Sequence, residues 1–311
     1  MTRSLFFAFA IQALIAASLA AQNPSWTFTT VDFPGFASVT APLSINNYGD
    51  IVGYYDDSAG AVHGYLRPKG GDFVSIDFPG SVSTFAHVIN DRGDIAGTYF
   101  DPAGVQHGFL LQDGVYSTID VPGAAQTKGT QFELGPGLGT AVFGLSRRGD
   151  IVGEYADSNK VAHGFLFRRG RFSSFDAPGA THAAGSETLG AAINSFGDIV
   201  GSVQASGYHD TKGYLLKDGQ FTIIAPPDAG GSFGTIASGI NDRGDIAGSY
   251  SDRGTDFHGF ALIEGQYIRI DVPGARSTET YRIDEDQTII GGYYDSARRG
   301  HGYIGVRTAG Q

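Results

Sequence analysis

The chain has 311 residues, a formal net charge of −11, 47 glycines, 12 prolines and no cysteine. That acidity excludes nucleic acid and anionic membrane surfaces as its main partners, because phosphates are met by Lys and Arg. The absence of Cys excludes a disulfide scaffold, which a mature chain of about 290 residues does not need in order to bury a core.

Residues 1–20 read as a signal peptide. Arg3 is a short positive start, Leu5 to Ala17 is an apolar run broken by Gln12, and Ser18-Leu19-Ala20 offers small residues at a cleavage site. The run is shorter than the roughly 20 residues of a membrane-spanning helix. The expectation is a secreted protein, extracellular or periplasmic, with no membrane insertion after cleavage. Arg3 is the one charged residue lost, so the mature charge becomes −12.

Trp26 to Gly35 follows, with Thr27 to Phe33 reading as a strand that ends in Asp32-Phe33-Pro34-Gly35. From there the chain repeats itself. Gly49-Asp50, Gly93-Asp94, Gly149-Asp150, Gly197-Asp198 and Gly244-Asp245 recur at intervals of 44, 56, 48 and 47, each followed by two apolar residues and a Gly. A degenerate sixth copy is Gln287 to Gly291. A second column is His-Gly-aromatic, beginning at His63, His107, His163, His258 and His301, with Lys212-Gly213-Tyr214 in the fourth copy. A third is Asp-x-Pro-Gly, beginning at Asp32, Asp77, Asp120, Asp176 and Asp271, with Ala225-Pro226-Pro227-Asp228 in the fourth copy.

One repeat holds four short strands. In the second copy these are Phe85–Ile89, Asp94–Tyr99, Gln106–Leu111 and Val115–Val121, with Asp113-Gly114 as a hairpin turn. No helical periodicity follows the leader. Four strands in a repeat of this length is the size of a propeller blade. The last repeat stops after its third strand near Arg307, so the N-terminal strand can complete the blade begun at Thr278 and remove the free edges. The predicted fold is all-β: a six-bladed β-propeller of four-stranded blades, one domain over residues 24–307 with a short tail at 308–311.

The columns of apolar-Asn-x-x-Gly, apolar-x-Gly and His-small-aromatic resemble the bacterial HAF-repeat family of extracellular repeat proteins, from about Trp26 to Arg307. The resemblance implies an extracellular location and repeat architecture, and it carries no catalytic residues.

Three sets of residues are candidates for chemistry. Asp57 and His63, Asp101 and His107, Asp157 and His163, Asp252 and His258, and Asp295 and His301 are each six residues apart. Five copies read as imidazole–carboxylate hydrogen bonds that pin loops; two ligands per blade are too few for a zinc shell, so no metal is expected. Three turns spell Arg-Gly-Asp (92–94, 148–150 and 243–245), but Gly-Asp belongs to the repeat and Tyr48 or Phe196 stands at the Arg position elsewhere. A Thr lies five residues before the Ile or Leu that ends every first strand: Thr40, Thr84, Thr140, Thr188, Thr235 and Thr278. These six hydroxyls would ring an axial mouth and hold water, a cation or a polar ligand, or else satisfy backbone groups between blades.

Loop length marks one face. The links after the second and fourth strands share it, and the latter lengthens around residues 125–139, 182–187 and 230–234. Glu133, His182, Glu187 and Glu279 are placed on these loops, with His87 and Tyr281 along first strands. The reading is a secreted, non-enzymatic propeller, monomeric and without cofactor, that binds a glycan or protein through this face. The alternative is an extracellular hydrolase or lyase using a carboxylate or His from the same set at the axial mouth. Gly-Pro-Gly-Leu-Gly at 135–139 lacks the Lys of a phosphate loop, and no Gly-x-Ser-x-Gly occurs.

Overall fold

A computed structural model describes residues 26–128, 139–181, 183–205, 210–253 and 256–308. The first strand, β1 (Trp26–Thr30), stands apart from its neighbours in sequence. Four strands follow as one sheet: β2 (Thr40–Ile45), β3 (Ile51–Asp56), β4 (Val62–Arg67) and β5 (Val74–Ile76). The second sheet is β6 (Ser83–Ile89), β7 (Ile95–Phe100), β8 (Gln106–Gln112) and β9 (Val115–Ile119). The third is β10 (Thr140–Leu145), β11 (Ile151–Ala156), β12 (Ala162–Arg168) and β13 (Arg171–Phe175). The fourth is β14 (Glu187–Ile193), β15 (Ile199–Gln204), β16 (Lys212–Lys217) and β17 (Gln220–Ile224). The fifth is β18 (Thr235–Ile240), β19 (Ile246–Ser251), β20 (Phe257–Ile263) and β21 (Gln266–Ile270). In the sixth, β22 (Ser277–Ile283), β23 (Ile289–Tyr294) and β24 (Gly300–Arg307) take β1 as the outer strand, with Trp26 opposite Arg307 and Thr30 opposite Tyr303.

The fold is a six-bladed β-propeller closed by its N-terminal strand. Pairing within every blade is antiparallel, and one parallel bridge, Ala162 to Glu187, ties blades 3 and 4 together. The N-terminal strand ends at Thr30, short of the expected Phe33, because Asp32 leaves the ladder to meet His301 (2.8 Å) and the Phe33 amide leaves it to donate to Thr40 (3.1 Å). For the same reason β9 ends at Ile119: Asp120 turns to His107 and the Val121 amide to Thr140.

The core lies between blades. Val88, Ala96 and Ile119 of blade 2 pack on Val142, Ile151 and Phe165 of blade 3, and every other interface repeats the arrangement. The aromatic residue of each His-Gly-aromatic string (Tyr65, Phe109, Phe165, Tyr214, Phe260, Tyr303) is at most 1% exposed. Fully burying a large apolar side chain contributes roughly 1.5–3 kcal/mol, so this column is a main source of blade adhesion.

Each first strand carries a β-bulge against the second. The extra residues are Leu43, His87, Phe143, Ala191, Ser238 and Tyr281. The bulge brings the first-strand backbone onto the Gly of the apolar-apolar-Gly string. A Cβ at Gly201 would stand 1.8 Å from the Leu189 carbonyl oxygen, and at Gly153 1.9 Å from that of Ala141. Gly201→Ala should therefore cost about 4 kcal/mol or more, read as a collapse of the thermal unfolding midpoint; an unchanged midpoint would refute this account of the column.

Candidate functional site

The threonine column does not face the axis. Thr40, Thr84, Thr140, Thr188 and Thr278 are buried, and their hydroxyls accept amide hydrogen bonds of 3.0–3.2 Å from Phe33, Phe78, Val121, Ala177 and Val272 of the preceding blade. Of the two alternatives the axial ring is corrected, and the hydroxyls satisfy backbone groups between blades. Thr235 is buried too, but the matching residue before it is Pro226, which has no amide hydrogen to give.

The histidines form part of a larger unit than the six-residue pairs suggest. Each Nδ1 lies 2.7–3.0 Å from the Asp of the Asp-x-Pro-Gly column: His63 to Asp77, His107 to Asp120, His163 to Asp176, His258 to Asp271 and His301 to Asp32. The six-residue partners Asp57, Asp101, Asp157, Asp252 and Asp295 stand farther off, 3.4–3.8 Å from Nε2. Carboxylates of that set serve the loop itself; Asp57 accepts the amides of Ala59 and Ala61 at 2.8 Å. Each imidazole thus ties the two long-loop classes together and packs against a Tyr of the second strand, stacked for His63, His107 and His301 and tilted for His163 and His258. Blade 4 lacks both members at once, with Lys212 for His and Ala225 for Asp. His107 is held more basic than usual, first by its hydrogen bond to Asp120. Among the described residues no group of three or more His, Asp or Glu is arranged to hold a metal ion.

The aspartates of the Arg-Gly-Asp turns are occupied within the fold, Asp150 by Arg168. Arg92 folds back on Asp94 (Nε to Oδ2, 2.9 Å), and Asp94 and Asp245 are 4% and 5% exposed.

What faces the axis is the bulge. A cavity of about 260 Å³ is lined by Leu43, His87, Phe143, Ala191, Ser238 and Tyr281, joined by Tyr54, Leu189, Ile236 and Arg282. All six blades contribute, and the six bulge residues are all different. The floor is Arg282. Its guanidinium donates to the carbonyls of Tyr281 and Ser238 through Nη1 and to those of Phe143 (2.7 Å) and Ala191 (3.2 Å) through Nη2. Four blades are bound by one side chain, which lies across the axis. Burial without a carboxylate partner lowers its pKa to about 10.

His87 donates from Nδ1 to the Val142 carbonyl (2.7 Å) and stacks on Phe143 at 4.8 Å. Burial above all holds its pKa down at about 4, so it is a neutral ring with Nε2 as acceptor. Tyr281 donates to Glu279 Oε2 (3.0 Å), and burial raises the pKa of both.

Glu279 and Glu187 belong to β22 and β14, not to loops as expected. Glu187 neighbours Glu154, a residue the sequence reading passed over. Both carboxyls are raised by burial, Glu187 to about 7, and Glu154 further by the Glu187 charge. Glu154 Oε2 has no hydrogen-bond partner. Glu133 and His182 lie outside the described residues.

Of the axial set, sequence reasoning found His87 and Tyr281 and missed Tyr54, Phe143 and Arg282. The signal for Arg282 was present: it is the one charged residue in a column otherwise made of Ser44, Val88, Gly144, Ala192 and Gly239.

No family model matches the sequence, and no curated protein matches it. Solved structures do match in shape. AofleA from Arthrobotrys oligospora is 12% identical, with 91% of this chain and 88% of that chain covered and a TM-score of 0.55. A mutant Aleuria aurantia lectin in complex with Fucα1-6GlcNAc is 12% identical, covering 85% and 91%, with a TM-score of 0.52. Another Aleuria aurantia lectin structure, described as a six-bladed β-propeller with a novel fucose recognition mode, is 14% identical, covering 85% and 90%, with a TM-score of 0.50. At these identities the likeness is one of fold.

Proposed function

We propose that this chain is a secreted, monomeric, non-enzymatic binding protein that takes a small sugar, as a free molecule or a glycan terminus, into the axial cavity on the long-loop side of Arg282. One observation carries the reading. The residues that build the blades repeat, whereas the six equivalent bulge residues that converge on the cavity are Leu, His, Phe, Ala, Ser and Tyr. Packing demands like residues at like positions; an asymmetric, solvent-reached surface at the point of convergence is what a ligand of no symmetry needs. Tyr54, Phe143 and Tyr281 offer apolar faces, and His87 Nε2 and Ser238 offer an acceptor and a donor, the mixture a pyranose uses. The volume lies just below the roughly 300–1,000 Å³ of drug-sized pockets, which suits one sugar ring and not a polymer strand. The secretory leader and the HAF-repeat resemblance support an extracellular setting, and the fucose ligands of the similar folds make deoxyhexoses the first probes.

The test is calorimetric titration with fucose and a panel of other monosaccharides. One or more sugars should bind, and Tyr281→Ala should weaken that sugar about tenfold, equal to about 1.4 kcal/mol. No binding across the panel overturns the reading. Turnover of a chromogenic glycoside that vanishes in Glu279→Gln would replace it with the hydrolase reading.

A further inference from the structure

A cleft lies on the opposite face, where the short turns gather between blades 2 and 3. It measures about 580 Å³, its walls carry Arg92, Arg148, Arg168 and Arg169, its base includes Leu145 and Phe167, and Phe196 stands at its rim, 70% exposed. Arg92 and Arg168 are engaged by Asp94 and Asp150 at 2.5 and 2.9 Å. Arg148 and Arg169 have no carboxylate within 4.0 Å among the described residues, and both are exposed.

Arg169 and Arg147 reverse the charge found at their turn positions in other blades, whereas Arg148 shares its position with Arg92 and Arg243, and Arg147 is itself held by Asp91. The hairpin turn between third and fourth strands has Asp113, Asp218 and Glu264 at its positive-φ position (φ 51° in each), and Arg169 at φ 52° in blade 3. The second residue of the turn between first and second strands is Asp91, Asp242 or Glu285 in three blades and Arg147 in blade 3. Backbone geometry is shared, so the turns do not require arginine. In a chain of charge −11, the result is one local cationic notch.

We propose that this cleft is a second binding site, for an acidic oligosaccharide whose carboxylate or sulfate groups pair with Arg148 and Arg169 while a sugar ring lies against Phe196. Guanidinium suits planar and tetrahedral oxyanions because it donates in a fixed fork. The cleft is walled by turns and offers no free strand edge, so an extended acidic peptide finds no backbone ladder to join. The acidic remainder of the surface repels a nucleic-acid strand beyond the few phosphates the notch could meet. The site is independent of the axial cavity and stands or falls without it.

The experiment is calorimetric titration of the whole protein with tetragalacturonate, a sulfated chondroitin tetrasaccharide and neutral cellotetraose, at low and high salt. At least one acidic sugar should bind at low salt and weaken as salt screens the charges, and cellotetraose should not bind. The double variant Arg148→Ala with Arg169→Ala should weaken binding about tenfold or more. Arg169→Asp copies the residue that blades 2 and 4 already carry in this turn, so it keeps the fold and should remove binding; an unaltered thermal midpoint confirms that it folds. The carboxylate and sulfate probes distinguish the two kinds of acidic sugar. The proposal is overturned if neither acidic sugar binds at low salt, if the arginine variants bind as the parent does, if a single-stranded oligonucleotide binds as tightly, or if the variants alter only self-association.

Discussion

Replacing Arg282 with alanine is expected to lower the stability of the whole propeller by about 3–5 kcal/mol. Four backbone carbonyls, from blades 3, 4, 5 and 6, share this one guanidinium. A hydrogen bond from a charged donor is worth about 1.5–3 kcal/mol net, and a buried acceptor left unmade costs about 1–3 kcal/mol. Against this stands the burden of the buried cation itself, visible in a pKa lowered to about 10. Its removal returns part of the loss, so the expected figure is well below the sum of four bonds. Arg282→Met separates the two effects by filling most of the space without a charge or a donor. It should remain less stable than the parent, and Arg282→Lys should fall between, because one ammonium cannot reach carbonyls spread around the axis. Denaturant unfolding of the three variants decides the matter. A methionine variant as stable as the parent would mean that the carbonyls find other partners and that the arginine is no staple.

Arg282 also shows what a repeat sequence reveals and what it hides. Columns present in five or six copies were legible, because equivalent blades impose equivalent demands. The closing strand, the turns, the buried aromatic after His-Gly and the histidine clamps all follow from them. The histidine's nearer carboxylate was missed because Asp77 is 14 residues from His63 and in a different loop class, so only the propeller's shape brings them together. The threonines were offered either as an axial ring or as partners for backbone groups between blades, and the second is what the structure has; the bulge in each first strand is what turns a different residue to the axis. The bulge had a trace in the sequence, the Gly facing it in every second strand, but a recurrent Gly has several explanations until the register is known. Singular residues such as Arg282, Glu154 and Tyr54 have no column to announce them. They occupy places where siblings are small, and their meaning appears once the blades surround a common axis.

The second large effect concerns acidity. Glu154 on β11 and Glu187 on β14 meet where blades 3 and 4 join through the Ala162–Glu187 bridge, with Tyr214 of β16 close by. No Lys, Arg or His forms an ion pair with either glutamate among the described residues. Two carboxylates that burial keeps from ionising bind protons more tightly in the folded state than in the unfolded chain. Their contribution to stability is therefore fully present below the ordinary 4.5 and is lost as pH rises through about 7, the value to which Glu187 is pushed. Each unit corresponds to about 1.4 kcal/mol, so stability should fall by roughly 3 kcal/mol across that window. Glu154→Gln keeps the shape of the protonated side chain and removes one ionisation. It should match the parent at the acid end and be the more stable of the two at the alkaline end, because one of the two buried ionisations is gone. A decline should persist in the variant from Glu187, which burial alone pushes up to about 7, and from His107, whose raised pKa gives stability that is likewise lost as pH rises past it. Thermal midpoints of both proteins across the window measure this. If Glu154→Gln is instead less stable at the alkaline end, the charged carboxylate is being used by the fold, and burial does not keep it protonated.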